Sequence, residues 1–165
     1  MKKDDAFRAG LESARRESTA QLLMKCARLV NERALARVKE KAPRGRVSPR
    51  PAHTALFPHI ALEGSRVSEI AKRAGISKQA VSQLVDDLEA MGLVERKSDP
   101  SDARARRVVW TARGRRGLLD GLATLGALEA ELESAVGAAQ WQGLSAGLLA
   151  LHDHLTAADD DVAEP

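Results

Sequence analysis

A chain of 165 residues is long enough to bury one good core, so a single domain spanning 1–165 is the expectation. Its 44% apolar and 30% charged residues suit a folded protein; four aromatic rings, Phe7, Phe57, Trp110 and Trp141, are too few for a carbohydrate or single-strand stacking surface, and one cysteine excludes an intrachain disulfide or a thiolate zinc cluster. The net charge of +3 conceals an asymmetry, since residues 1–116 hold all 26 Lys and Arg against 14 acids while residues 117–165 hold nine acids and no Lys or Arg, so one part could face phosphates and the other must face elsewhere unless it is merely a solvated helix face.

Residues 1–16 are charged and interrupted by Gly10, and a disordered tail is expected there. No apolar run follows them, which argues against a secretory leader, and no stretch reaches a membrane-spanning length; with the single cysteine, this points to the cytoplasm. From Ser18 or Thr19 a helix is predicted, with Leu22, Leu23, Cys26, Leu29, Val30, Ala34 and Val38 at three- and four-residue steps, ending before Pro43. The segment APRGRVSPRP is a basic, proline-rich connector, and Pro51 opens a short helix that Pro58 ends or kinks. After an extended step at Arg66 and Val67, Ser68 caps a helix that ends at Gly75, and Ser77 caps the next, which stops at Gly92. LVERK and RVVW read as two strands of a hairpin joined by a long basic loop, SDPSDARAR. Thr111 begins a helix with Leu118, Leu122, Leu125, Leu128, Leu132 and Val136 on a seam, and a last helix after Gly137 repeats the pattern with Leu144, Leu148, Leu151 and Leu155. The remaining 157–165 is an acidic tail expected to be disordered. The end helices carry more leucine than the middle could cover, so they should pack on each other and, in a dimer, on their copies.

The informative stretch is SEIAKRAGISKQAVSQLVDDLEAMGLVERK, from Ser68 to Lys97. Ala71 lets two helices approach, Gly75 supplies a left-handed turn, and Val81 packs the second helix on the first. Burial of Val81, Leu84, Val85 and Leu88 turns Lys78, Gln79, Ser82 and Gln83 outward, and these side chains have the reach for base edges and phosphates in a major groove. A helical hairpin with a solvated polar face is the plainer alternative, although such a face more typically carries Glu and Lys pairs. The following loop gathers Arg104, Arg106 and Arg107 beside the turn Asp99-Pro100-Ser101-Asp102, where Asp102 could hold the Arg104 guanidinium extended for a minor groove or form only a surface ion pair.

Residues 18–155 resemble the MarR (multiple antibiotic resistance regulator) family. The resemblance is carried by AGISKQAVSQLVDDLEAMGLVERKSDPSDARARRVVWTARG, including the D-P-x-D-x-R wing and the Thr-x-x-Gly of Thr111 to Gly114. It implies a mainly α fold with a small β-hairpin wing: a winged helix-turn-helix at 48–111, and dimerisation helices at 17–47 and 112–156. It further implies a homodimeric, sequence-specific DNA-binding regulator on a pseudo-palindromic operator, a repressor released by a small-molecule effector, and not an enzyme. By position, Ser77, Lys78, Gln79, Ser82 and Gln83 are recognition-helix contacts, Arg104 with neighbouring Arg106 supplies the wing, and Asp102 orients it. The family's aromatic or phenolic ligands would bring Arg28, His53, Phe57 and Arg66 near a cleft, though packing or surface roles are preferred for all four.

Two other readings stand beside this one. A winged-helix protein-interaction scaffold without DNA binding would not need Lys78, Gln79 and Arg104. A thiol-based redox regulator would act through Cys26, but the chain lacks the tyrosines that activate such thiols in relatives, and Cys26 shares a face with Leu22, Leu29 and Val30, so a buried, unreactive thiol is preferred. His152 and His154 point apart on a helix, and no phosphate loop, nucleophile elbow or carboxylate pair stands out, so no metal, cofactor or catalytic residue is expected.

Overall fold

The computed structural model describes residues 2–43, 45 and 47–161. Two units make up the chain, Met1–Thr124 and Leu125–Pro165.

The first unit opens with α1, Lys2–Glu17. This corrects the expectation of disorder over residues 1–16. Asp4 and Asp5 in its first turn and Arg15 and Arg16 in its last complement the helix dipole, and Ser13–Glu17 and Arg15–Glu12 contacts brace its surface. Ser18 then breaks the run and caps α2, Thr19–Lys41, by accepting the Gln21 N–H at 3.3 Å. Past the connector, Pro51 starts α3, Pro51–Thr54, and Pro58 sits within a 3₁₀ turn, Phe57–His59. β1 is only Ser65–Arg66, and α4, Val67–Ala74, begins one residue before the predicted cap, because the Arg66 N–H finds the Glu69 carboxylate at 2.9 Å. After α5, Lys78–Ala90, come β2, Val94–Asp99, and β3, Asp102–Trp110. The sheet is antiparallel with order β1-β3-β2, so the expected hairpin gains a third strand, in which Ser65 faces Val108 and Arg66 faces Arg107.

The core lies under this sheet. Leu56, Ile60, Ile70, Val81, Val85, Leu88, Val94, Val108 and Trp110 are buried together, and the Trp110 indole N–H is satisfied by the Ile60 carbonyl at 3.1 Å. Phe57 meets the Trp110 ring edge-to-face at 5.1 Å. The Thr-x-x-Gly motif joins wing and helix: the Thr111 hydroxyl donates to the Gly92 carbonyl at 2.8 Å and accepts the Gly114 N–H at 2.9 Å. A Cβ on Gly114 would collide with the Leu93 carbonyl, which explains the glycine without any unusual backbone angle.

α6, Ala112–Val136, runs out of the first unit into the second, where Gly137 at φ +93° permits the turn into α7, Ala138–Asp161. Residues 157–161 are therefore helical rather than disordered as expected, since extending a formed helix fixes only one further residue per bond; residues 162–165 lie outside the described residues. The long helices leave Leu119, Leu122, Leu144, Leu148, Leu149 and Leu155 exposed on the chain. Among the described residues no helix is long and apolar enough to cross a membrane.

Candidate nucleic-acid interface

The recognition element is built by three local devices. Gly75, at φ +65°, takes its N–H back to the Ala71 and Lys72 carbonyls and closes α4. Ser77 is extended, and its hydroxyl accepts the Ala80 N–H at 3.1 Å to start α5. Val81, Val85 and Leu88 then sink completely into the core with Leu84 packed beside them. The opposite face follows by periodicity: Ser77, Lys78, Gln79 and Gln83 are exposed and Ser82 is half-buried. Lys72 and Arg73 in the last turn of α4 are also exposed cations, and Arg73 reaches the His59 carbonyl.

The wing departs from the expected long loop. Strand pairing continues to Asp99 opposite Asp102, with an irregularity after Ser98, and leaves only Pro100 and Ser101 in the turn. Asp99 explains the tightness: its Oδ1 accepts both the Ser101 N–H at 2.9 Å and the Ser101 hydroxyl at 2.7 Å, while its Oδ2 accepts the Arg66 Nε–H at 2.6 Å. The Arg66 hydrogen bond, then those from Ser101, hold the buried Asp99 carboxyl far below the usual carboxylate range. Arg104 and Arg106 on β3 are both exposed; Arg106 stands opposite Ser98, whereas Arg104 lies in the stretch after Asp102 that has no partner on β2. Asp102 meets this segment through the backbone, with its Oδ1 accepting the Arg104 N–H at 3.0 Å rather than the guanidinium. Arg107 turns to the other face and donates to the Gly64 carbonyl at 2.8 Å.

A second set of ion pairs fixes α5 itself. Arg96 on β2 bridges Asp86 at 2.7 Å and Glu89, both on α5. On the far flank, Asp87 Oδ2 accepts from Arg50 Nη2 at 2.8 Å and lies 3.1 Å from His53 Nε2. Because His53 Nδ1 already accepts the Arg50 N–H at 3.0 Å, the ring proton must sit on Nε2 and point at Asp87. The His53 hydrogen bond, followed by that of Arg50, pulls the Asp87 carboxyl below its ordinary range. None of these pairs was legible in the sequence; the nearest signal was Asp99 two places before a hydroxyl in a Pro-containing turn.

The four residues placed near a ligand cleft do not come together. A cavity of about 620 Å³ lies between the connector, the end of α2 and the start of α6, and of the four only Phe57 lines it, with Trp110, Leu93, Lys41, Arg113 and Arg116. His53 is wholly buried in the contacts just described, Arg66 anchors the wing, and Arg28 pairs with Glu32 at 2.6 Å on the surface of α2. Cys26 corrects another expectation: it is exposed, because Leu22 and Leu29 on the same helix face are themselves uncovered in the chain.

Residues 49–105 match the model of the MarR family. None of the curated proteins matches the chain significantly. Among solved structures, the transcriptional repressor CouR bound to a 23-mer DNA duplex is 26% identical over 82% of this chain and 93% of its own, with a TM-score of 0.62. CouR from Rhodococcus jostii RHA1 bound to p-coumaroyl-CoA is 23% identical over 83% of this chain and 93% of its own, at 0.59. The crystal structure of MarR itself, 17% identical over 84% of this chain and 95% of its own, reaches 0.63. The last two similarities are of fold.

Proposed function

We propose that the chain is a member of the MarR family and, as such, a homodimeric, cytoplasmic transcriptional repressor, not an enzyme, that releases its operator when an effector binds. In this reading the chain is one MarR-like domain. Residues 17–47 and 112–156 form the dimer, and residues 48–111 hold DNA. Ser77, Lys78, Gln79, Ser82 and Gln83 enter a major groove, and Arg104 and Arg106 reach the adjacent minor groove from a wing whose backbone Asp102 sets. One observation carries the proposal: an exposed, uncharged-to-basic helix face and an arginine-bearing ribbon sit together in the part of the chain that holds every Lys and Arg. The CouR structure on a DNA duplex supports the same use of the fold.

The effector in this reading is a small aromatic or phenolic compound with negative charge. Phe57 and Trp110 offer ring edges, and Lys41, Arg113 and Arg116 offer cations to an anion in the cavity. The p-coumaroyl-CoA complex of CouR supports this chemistry.

The test is a fluorescence-anisotropy titration of the full chain against duplexes selected from a random pool, at several salt concentrations. Arg104→Ala should weaken binding about tenfold and lower the salt slope by about one. Unchanged affinity and slope would remove the wing from the proposal, and failure to enrich any duplex would remove DNA binding altogether.

A further inference from the structure

The cavity and the recognition helix are joined by a short chain of contacts within the first unit. The connector residues Val47, Ser48 and Pro49 form one wall of the cavity, and the next residue is Arg50. Arg50 is held at three points: its N–H goes to His53 Nδ1 at 3.0 Å, its carbonyl receives the His53 N–H at 2.9 Å, and its guanidinium reaches Asp87 at 2.8 Å. His53 donates to the same Asp87 oxygen at 3.1 Å, so two elements of the connector side converge on one atom of α5. Thr54, the next residue, donates to Asn31 Oδ1 on α2 at 3.2 Å. The tiny helix α3 therefore ties α2, the cavity wall and the recognition helix together.

We propose that Arg50, His53 and Asp87 form a latch through which filling of the cavity repositions α5, making all three positioning residues for DNA binding; this rests on the reading of the cavity as the effector site. The physical argument is rigidity. His53 is fully buried, so neither ring nitrogen can trade its partner for water, and a displaced connector must drag Asp87 or leave a buried polar atom unpaired. Asp87 lies one helical turn beyond Gln83 and two beyond Gln79, and a helix transmits a displacement over that length without bending. The latch thus converts pressure on the cavity wall into tilt of the face carrying Lys78 and Gln79.

The test fills the cavity without a ligand. Gly117 lines it from α6, and a Cβ there meets only the Leu93 Cδ2 at 3.8 Å, so Gly117→Trp can place an indole inside; Ala123→Trp, from the same helix, is the second filling variant if the first does not fold. Affinity for the duplex selected on the parent protein is measured for the parent, Gly117→Trp, Asp87→Asn and the double variant, each checked by its unfolding midpoint. Arg50→Met replaces Asp87→Asn if that variant is unstable. The latch predicts that filling weakens DNA binding about tenfold in the parent and less than about twofold once Asp87 is changed. Equal weakening in both backgrounds overturns the latch and leaves the cavity reading intact. No weakening in the folded parent background overturns the cavity reading, and the latch with it.

Discussion

The region around the wing and the two long C-terminal helices solve the same burial problem in opposite ways. Between Leu56 and Trp110 most apolar side chains, Leu62 and Ile76 excepted, are covered by their own chain, and polar ones are tied across elements by Arg66–Asp99, Arg96–Asp86 and Arg50–Asp87. Along α6 and α7 a comparable number of leucines stands exposed, with no Lys or Arg after residue 116 to solvate their flanks. The difference teaches that the head is organised for a fixed shape as a single chain, whereas the helices are organised for a partner surface, which in the proposed dimer is a second copy.

The sharpest way to break this contrast is to make matched substitutions in both regions. Leu88→Ala, in the covered head, should cost about 3 kcal/mol of unfolding free energy, measured by urea titration. Leu122→Lys with Leu148→Lys, on the uncovered helices, should leave the head folded by near-ultraviolet dichroism while light scattering reports a monomer. That monomer should bind the selected duplex about a hundredfold more weakly, because the second half-site contact is lost. A dimer surviving both lysines would place the partner surface elsewhere.

A smaller effect sharpens the role of the clamps. Asp99→Asn frees the turn and should weaken DNA binding about fivefold by loosening the wing. It also alters the response to acid. The Asp99 carboxyl titrates below its unfolded value, so the stability it contributes is complete above about pH 4 and is lost as pH falls further. Asp87 acts in the same direction. The unfolding midpoint of the parent should therefore drop on going from pH 5 to pH 3 more steeply than that of Asp99→Asn, and parallel curves would count against the clamp. Smallest is the behaviour of Cys26: a thiol reagent should label it readily in the lysine-substituted monomer and more slowly in the parent if α2 joins the partner surface. Equal rates would take α2 out of it.

What the sequence disclosed and what it withheld divide along contact range. Gly75, Ser77, Thr111 and the stepping of Val81, Val85 and Leu88 act within one or two turns, so spacing alone predicts the two helices and their outward face. The partners of Arg66 and His53 lie 33 and 34 residues away, and nothing local marks a charged residue as a clamp rather than a ligand contact. For that reason the sequence sets both near a cleft only as the less favoured alternative to packing or surface roles, and names neither partner that the structure gives them. The extended step expected at Arg66 and Val67 is present one residue earlier, as Ser65–Arg66, but two residues are too few to show that it pairs with β3; α1 looks like a disordered tail in the sequence because its charges, in fact arranged as helix-stabilising pairs, lack an apolar stripe.

The break in pairing near the wing tip decides where the finger can change length. β2 and β3 keep one register from Val94 and Trp110 to Ser98 and Arg106, then resume at Asp99 and Asp102, so the stretch of β3 between Asp102 and Arg106 has no partner on β2. Residues added or removed in that stretch would change the reach of Arg104 without shifting the paired strands or the facing of Arg106. One residue added within the paired stretch of a single strand would instead turn every side chain beyond it to the other side of the ribbon. The tip is thus free to vary in length while the frame that carries it is held.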